Sequence, residues 1–189
     1  MWKSPLLSTK THFCPGAGGG EEWNSPGYDP LTNLIFTGDV DWCVTVMLQT
    51  REEIAAVPLG QLWTGDRYLD PFNQFGKFSR ADGYWAGWLY ATDADTGVWK
   101  WRLQSNYPIF SAVTPTAGGL VFFGDLGGNF YALDAATGQK LWGQKIGGGV
   151  ITYTVNGTQK VAVATGYVAP AFPAEIRRAK IAILGMEVN

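Results

Sequence analysis

The sequence predicts an all-β protein, and three observations carry that prediction. Its 189 residues include 25 Gly, 9 Trp, 8 Tyr and 10 Phe, a composition that suits tight turns and large side chains packed between sheets. Short alternating apolar segments follow one another with turn residues between them. One segment, ATDADTGVWKW at residues 91–101, returns as ALDAATGQKLW at residues 132–142. The spacing of 41 residues matches one four-stranded blade, so the predicted fold class is a partial β-propeller.

Each copy of the repeat predicts a hairpin whose turn is closed by an aspartate and a glycine. The aspartate accepts hydrogen bonds from the turn's own amides, and the glycine takes the positive φ that returns the chain to the ladder. The alanine leaves room for an indole, and the closing tryptophan offers a flat surface to a neighbouring sheet. The shared positions are Ala91, Asp93, Gly97 and Trp101 in the first copy and Ala132, Asp134, Gly138 and Trp142 in the second.

The strands before and around the first copy predict a blade over residues 13–105. Its strands are WNSPGYD, NLIFTGD, GWLYATD and VWKWRLQ. Residues 51–85 interrupt them and mix Pro, Gly and aromatic residues without a period. We therefore expect a loop insertion there, with one short helical turn near Arg51 to Ala56.

Two further groups of strands follow. Residues 106–146 predict a complete blade, with one strand at 110–115 and three more at GLVFFG, GNFYALD and QKLWGQK. Residues 147–189 hold VITYTVNG, QKVAVATG and KIAILG, which is one strand short of a blade. The prediction is therefore about two and a half blades, with an unpaired edge at KIAILG that favours self-association.

Charge and hydropathy argue against nucleic-acid binding and against a membrane-spanning segment. The formal net charge is −2, so the chain lacks the cationic surface that drives nucleic-acid binding. No apolar run reaches the roughly 20 residues needed to span a bilayer, which predicts no transmembrane segment. The first residues, MWKSPLLSTKTHFCPG, lack the apolar core of a signal peptide, so either the chain is not exported or its natural N-terminus is missing.

The two copies of A-x-D-x-x-T-G-x-x-x-W resemble the tryptophan-docking signature of quinoprotein alcohol dehydrogenases, eight-bladed propellers that use pyrroloquinoline quinone (PQQ). TPTAGGLVFFGDLGGNFYALDAATG, GGGVITYTVNGTQKVAVATG and CPGAGGGEEWNSPGYDP also resemble that family's C-terminal third. The resemblance covers nearly the whole chain except residues 51–85. It implies that residues 1–189 are the C-terminal part of a periplasmic propeller enzyme, which oxidises primary alcohols by hydride transfer to PQQ and passes electrons to a cytochrome.

The resemblance also implies what this chain contributes. In the family, PQQ lies near the propeller axis with Ca2+, a vicinal disulfide and an aspartate base, and no segment here matches the base, the calcium ligands or an adjacent cysteine pair. We therefore expect closing blades and one wall of the PQQ pocket, with no catalytic or metal-binding residue. A fragment of this kind is expected to be inactive alone and to associate with the missing N-terminal blades or with itself. The alternative function is a non-catalytic PQQ-like propeller that serves as a scaffold or protein-binding module.

Three residues are candidates for that cofactor wall. The family contributes an asparagine to PQQ from a Gly-rich stretch like GGGEEWNSPGY, which implies Asn24 as the contact with Trp23 beside it. An amide can donate to a quinone oxygen and accept from the cofactor's ring NH. The alternative is that Asn24 and Ser25 cap a strand. Phe110 lies where related enzymes have a residue near the cofactor rim.

Cysteine spacing suggests a bridge. Cys14 and Cys43 lie on either side of a predicted hairpin that could return them to the same end of a sheet. Similar enzymes carry a disulfide in this region and work in the periplasm, where such bonds persist. The alternative is two separately buried thiols. We expect no metal site at His12, the sole histidine, because it has too few potential ligands beside it. We also expect none at the carboxylate pairs Glu21–Glu22 and Asp39–Asp41, because such pairs near turns are usually solvated.

Overall fold

The computed structural model of the protein describes residues 9–13, 15, 19–22, 24–42, 44–61, 65, 86–166 and 178–185. One helix, α1 (Arg51–Ala55), forms at the predicted helical turn. The remaining elements in these ranges are the strands β1 (Thr11–Phe13), β2 (Gly27–Asp29), β3 (Leu34–Asp41), β4 (Val44–Val46), β5 (Ala86–Asp93), β6 (Trp99–Ser105), β7 (Thr114–Pro115), β8 (Leu120–Gly124), β9 (Phe130–Asp134), β10 (Lys140–Gln144), β11 (Gly148–Val155), β12 (Thr158–Thr165) and β13 (Lys180–Gly185). No helix in the described ranges is long and apolar enough to cross a membrane.

The strands form three main antiparallel sheets. The first sheet has the order β2-β3-β5-β6, the second β7-β8-β9-β10 and the third β11-β12-β13, while β1 pairs separately with β4. This arrangement confirms the predicted fold class, an all-β partial propeller. Among the described strands, the third sheet has three, and the first and second sheets have four each. The boundaries assigned to the blades from the sequence remain predictions.

Alternating side chains bury the second sheet on both of its faces. Val121, Phe123 and Leu133 pack against Phe36 and Leu89 of the first sheet. The intervening residues of β8 and β9 point the other way, because successive strand residues face opposite sides. These opposite-facing side chains pack against the third sheet in a cluster of Phe122, Phe130, Ala132, Val150 and Val163. The second sheet is therefore the centre of the described stack.

Neighbouring sheets approach closely at certain glycines, where the side chain of a larger residue would not fit. A Cβ atom at Gly27 of β2 would collide with Pro115 of β7, and one at Gly124 of β8 would lie 2.6 Å from the backbone nitrogen of Gly148. The Thr114 hydroxyl donates to the carbonyl oxygen of Val150 at 3.0 Å, which joins β7 to β11. The first strand of each sheet thus packs against the first strand of the next.

One strand is shorter than the sequence predicted. Of residues 110–115, only Thr114 and Pro115 pair with β8. The side chain of Ser111 replaces part of the expected ladder, because its hydroxyl accepts from the Gly124 nitrogen at 2.7 Å and donates to the Gly124 carbonyl at 3.0 Å. A hydroxyl that satisfies both backbone groups of one residue allows the segment to bend away from the sheet.

Candidate functional site

The two repeated turns have nearly the same geometry. Asp93 accepts hydrogen bonds at Oδ1 from the Thr96 nitrogen (3.0 Å) and hydroxyl (2.8 Å). Asp134 accepts at Oδ1 from the nitrogen and hydroxyl of Thr137, both at 2.8 Å. Gly97 and Gly138 have φ values of 71° and 72°. Hydrogen bonds from Thr96, together with Lys100, lower the pKa of Asp93 to about 2, and those from Thr137 lower the pKa of Asp134.

The first repeat's tryptophan docks on the second repeat's turn. Trp101 donates its indole N–H to the carbonyl oxygen of Ala135 at 3.0 Å. Its ring covers Gly138 so closely that a Cβ atom there would lie 2.7 Å from the ring atoms Cδ2 and Cε3. Phe36 of the first sheet packs on the same indole, with ring centroids 5.8 Å apart. Glycine is therefore required at Gly138 both for its backbone conformation and for the space that the indole occupies.

The second tryptophan has the same place in its own sheet but a different environment. Trp142 lies opposite Ala132, as Trp101 lies opposite Ala91. It contacts Phe130 edge-on, with centroids 6.0 Å apart, yet 43% of its surface remains exposed. The sequence contains no third copy of the repeat beyond Trp142 to receive its indole. Trp101 and Trp142 thus occupy the same register position in their sheets, and among the described residues the indole of Trp101 is the one that docks on a turn.

Asn24 is buried and joins three segments of the chain. Its Nδ2 donates to the carbonyl oxygen of Gly38 at 2.7 Å and, more weakly, to that of Ile109 at 3.4 Å. Its Oδ1 accepts from the Glu22 nitrogen at 3.3 Å. Both amide hydrogens therefore have partners within the chain, and Oδ1 retains capacity to accept one more hydrogen bond.

Phe110, the next candidate, lies one residue from the second of those carbonyl groups. It is half-buried and packs against the buried side chains of Val40 and Trp42. The structure thus brings Asn24 and Phe110 to the same end of the first sheet, although they are far apart in sequence. Trp23, Cys14 and Cys43 lie outside the described residues.

An acidic and aromatic cluster lies nearby that the sequence patterns did not reveal as a unit. Asp39 accepts from the Trp88 nitrogen at 3.2 Å, and the Trp88 indole donates to Asp41 at 3.1 Å. Desolvation, with repulsion from Asp41 and Glu21, raises the pKa of Asp39 to about 6. The expectation of solvated carboxylates is therefore wrong for Asp39. The alternation of Asp39 and Asp41 indicates that both side chains lie on the same side of the strand. Trp88, which packs over them, lies 49 positions from Asp39 in the sequence, so the local pattern does not reveal it.

The same face of the first sheet carries a row of aromatic rings and one arginine. Tyr90 lies between Trp88 and Trp99, with ring centroids 6.2 and 4.8 Å away. The Arg102 guanidinium lies 4.9 Å from the Trp88 ring centroid and 5.2 Å from that of Trp99. Burial, followed by the charge of Asp39, raises the pKa of Tyr90. Among the described side chains, no three His, Cys, Asp or Glu residues are grouped to hold a metal ion.

Comparisons with known proteins agree with this architecture. A family model described as "Outer membrane protein assembly factor BamB" (PQQ_2) matches residues 86–180. The lanthanide-dependent methanol dehydrogenase of Methylacidiphilum fumariolicum (strain SolV) is 30% identical over 139 residues, which cover 74% of this chain and 21% of that protein. Methanol dehydrogenase (cytochrome c) subunit 1 of Methylobacterium organophilum is 34% identical over 163 residues, covering 81% of this chain and 24% of that protein.

A solved structure shows the same fold. The quinohemoprotein alcohol dehydrogenase of Comamonas testosteroni superposes with a TM-score of 0.68 at 23% identity, covering 94% of this chain and 28% of that one. The chain spans 21% and 24% of the two methanol dehydrogenase sequences, and the matches fall on the C-terminal part of such relatives. The chain therefore belongs to the PQQ-dependent (quinoprotein) alcohol dehydrogenase family and corresponds to the C-terminal part of its β-propeller.

Proposed function

We propose that this chain supplies the closing blades and one wall of the PQQ pocket in a periplasmic enzyme that oxidises primary alcohols and transfers electrons to a cytochrome. The observation that carries the proposal is the match along most of the chain to methanol dehydrogenases, one of them named for cytochrome c. When bound, PQQ would supply the two-electron acceptor for the hydride of the alcohol. The chain's own part is to shape and exclude water from one side of that pocket.

Asn24 fits a role as an acceptor in that wall. Its Oδ1 can take a hydrogen bond from the ring NH of the cofactor, while its two N–H groups hold the backbone of β3 and of the segment before β7. A side chain fixed at both hydrogens is held in one orientation, which favours a precise contact. Phe110 would border the cofactor from the adjacent position, and Trp23 would lie beside Asn24.

The metal ion of the complete enzyme has no ligand set among the described residues. One relative is lanthanide-dependent, so Ca2+ or a lanthanide ion would complete the pocket with ligands from elsewhere in the enzyme. We accordingly expect that the isolated chain, mixed with PQQ and either ion, oxidises no ethanol or methanol in a dye-linked assay. Alcohol turnover by the purified chain would contradict its assignment as a non-catalytic part of the enzyme.

A split-enzyme experiment tests the pocket wall directly. The N-terminal part of a related methanol dehydrogenase, ending where the match to this chain begins, would be co-expressed with this chain. We expect PQQ-dependent dye reduction from the pair and none from either part alone. Asn24→Ala should lower that rate at least about tenfold, because it removes a hydrogen bond of about 1.4 kcal/mol to the cofactor together with the bonds that hold Asn24 to Gly38 and Ile109. Ser25→Ala, at the adjacent exposed residue, is the matched control and should leave the rate unchanged.

A disulfide between Cys14 and Cys43 is also part of the proposal. Support comes from the neighbouring ladder, in which Phe13 of β1 pairs with Val44 of β4. A bridge that closes a loop of this length would stabilise the protein by about 3 kcal/mol in the chain-entropy model. Peptide mapping without reductant should recover the two cysteine peptides as one linked species. Two peptides that are freely alkylated before reduction would rule the bridge out.

The second candidate function is a non-catalytic propeller that acts as a scaffold or binds proteins. The description of the matching family model as an assembly factor favours it. The split-enzyme experiment separates the two functions, because a scaffold would restore no PQQ-dependent dye reduction even when it associates with the N-terminal part.

A further inference from the structure

The sequence contains a single Asn-Gly pair, Asn156 and Gly157, and the structure places it at the tip of a hairpin. The two residues connect β11 to β12, whose last ladder pair is Val155 with Thr158. Their φ values are 50° and 76°, so both have left-handed backbones. Consecutive left-handed residues in a two-residue connection are typical of the type I′ turn, for which Asn-Gly is a preferred sequence. The geometry of the turn therefore accounts for this pair, and it also brings two reactive groups together.

Neither of those groups is held by a hydrogen bond. The side chain of Asn156 is exposed, and no group among the described residues bonds to its amide. The N–H of Gly157 has no backbone acceptor in the part of the chain that the structure describes. Nothing lies within 4 Å of the position that a Cβ atom would take at Gly157. The carboxamide carbon of Asn156 and the amide nitrogen of Gly157 are therefore free to react with each other.

The reaction open to such a pair is deamidation without an enzyme. The glycine nitrogen attacks the carboxamide carbon of the asparagine, a C–N bond forms, and the side-chain nitrogen leaves as ammonia. Water then opens the resulting succinimide ring at one of its two carbonyl carbons. Opening at the former side-chain carbonyl gives aspartate, and opening at the main-chain carbonyl gives isoaspartate, in which the backbone runs through the former side chain. Glycine favours the attack because it has no side chain to hinder its nitrogen.

The turn can open for this attack without disturbing the core. The buried side chains of the hairpin, Val150 and Val163, pair with each other at the end far from the turn. Beside the turn, Val155 is 49% exposed. A segment with few buried contacts opens locally at a low cost in free energy. The nitrogen and the carboxamide can therefore reach reacting geometry while the third sheet stays packed.

The position of the turn keeps it accessible when further sheets stack on this one. The third sheet contacts the second through its face, where Val150 and Val163 meet Phe122 and Phe130. The turn between β11 and β12 lies at an end of the sheet, beyond both faces. A sheet that packs on the opposite face would follow the same mode of contact and would leave Asn156 uncovered.

Two other asparagines provide an internal comparison. Asn33 also has a left-handed backbone, with φ of 55°, but its side chain accepts from the Tyr28 hydroxyl at 3.0 Å and donates to Asp95 at 2.8 Å. Asn106 is exposed, but the residue that follows it is a tyrosine, whose side chain hinders the attacking nitrogen. Asn156 combines a side chain without partners and an unhindered neighbouring nitrogen.

From these observations we infer that Asn156 is a site of spontaneous deamidation, at which the formation of isoaspartate loosens the turn end of the third sheet. Aspartate preserves the turn, because Asp-Gly also suits the type I′ geometry. Isoaspartate adds a methylene group to the backbone of a connection that fits two residues, so Val155 and Thr158 cannot keep their ladder pairing. The inference rests on the hairpin alone and is independent of the proposed dehydrogenase function.

Ageing the folded full chain at mildly alkaline pH tests the reaction. Peptide mapping by mass spectrometry detects the gain of about 1 Da, and labelling by an isoaspartyl methyltransferase separates isoaspartate from aspartate. Asn156 should react at least about tenfold faster than Asn33 and Asn106, and within about tenfold of the same residue in a free peptide of residues 153–160. Reaction in the folded chain no faster than at Asn33, or only in the presence of urea, would overturn the inference.

Two variants test the cause and the consequence. Gly157→Ala should slow the reaction at least about tenfold although it strains the turn, and an unchanged rate would show that the unhindered nitrogen is not the cause. Freshly purified Asn156→Asp carries the new charge without the longer backbone and is the matched control. In hydrogen exchange, the isoaspartate fraction of the aged chain should lose protection over residues 154–159 and keep it at Val150 and Val163, whereas the control should keep both. Equal protection of the turn in the two samples would refute the loosening.

Discussion

At the scale of single residues, the repeat contains an internal comparison. Gly97 and Gly138 share a left-handed φ, and both follow an aspartate that organises the turn. Only Gly138 has an indole over it, whereas nothing lies within 4 Å of the position that a Cβ atom would take at Gly97. Alanine substitutions at the two glycines therefore separate the free-energy cost of backbone strain from the cost of displacing the docked indole.

Gly138→Ala should destabilise the chain more than Gly97→Ala. The left-handed conformation costs an alanine about 1 kcal/mol at either position. At Gly138 the added methyl group also displaces the Trp101 ring, which adds about 2 kcal/mol by analogy with overpacked cores. Urea denaturation with far-ultraviolet detection would measure both variants. Equal losses of stability would show that the indole contributes nothing through its docked position.

The raised pKa of Asp39 predicts an unusual dependence of folding stability on pH. Its folded pKa of about 6 is above the ordinary value, so its favourable contribution is complete below about pH 4 and is lost as pH rises through 6. Asp39→Asn should match the wild type at pH 4 and exceed its stability by about 1 kcal/mol at pH 7, a value reduced for partial solvent screening. Asp134→Asn is the control of opposite sign, since the pKa of Asp134 is lowered and its contribution is lost on acidification. Chemical denaturation at the two pH values is the measurement.

Local residues of the site could be predicted from the sequence, and distant partners could not. The aspartate and glycine of each repeated turn interact with residues three or four positions away, so a short pattern contains all the groups involved. Asn24 instead bonds to carbonyl groups 14 and 85 positions along the chain. Nothing in its own segment specifies those partners, because they depend on how the first sheet meets the segment before β7.

At the scale of strands and sheets, turn residues and alternation predicted most elements correctly. The strand at 110–115 was predicted too long, because Pro108 and Ser111 supply hydrogen bonds that a pattern of apolar residues does not register. The exposure of Trp142 was also not predictable from the sequence pattern. Its position in the hairpin follows from the repeat, whereas its cover depends on the neighbouring sheet.

Close packing between the second and third sheets gives a prediction at this scale. Gly124→Ala should destabilise the protein by about 2–3 kcal/mol, because the new methyl group would meet the Gly148 backbone at 2.6 Å and must push the sheets apart. Gly149→Ala, at a position with nothing within 4 Å, should have an effect below about 1 kcal/mol. Thermal unfolding of both variants would test the difference, and similar melting temperatures would show that the sheets yield at this contact.

At the scale of the whole molecule, the order of the sheets determines where the structure is most resistant to opening. In the described part of the chain, the second sheet is covered on both faces, by Phe36 and Leu89 on one side and by Val150 and Val163 on the other. Among the described residues, the first and third sheets each pack against a neighbouring sheet on one face only. In a stack where each sheet contacts only its neighbours, an end sheet loses one interface on opening and the central sheet must lose two.

Hydrogen exchange should therefore reveal a gradient from the centre of the stack outward. The amides of β8 and β9 are expected to exchange most slowly, and those of β13 and β6 at the sheet edges most rapidly. Exchange is to be followed by mass spectrometry at a protein concentration low enough that contacts between copies do not protect the outer sheets. Since each buried interface contributes to the opening free energy, the difference between β8 and β13 should be at least tenfold in rate. Slowest exchange in β11 to β13 would mean that the third sheet folds as an independent unit, which a stack stabilised by contacts between adjacent sheets does not allow.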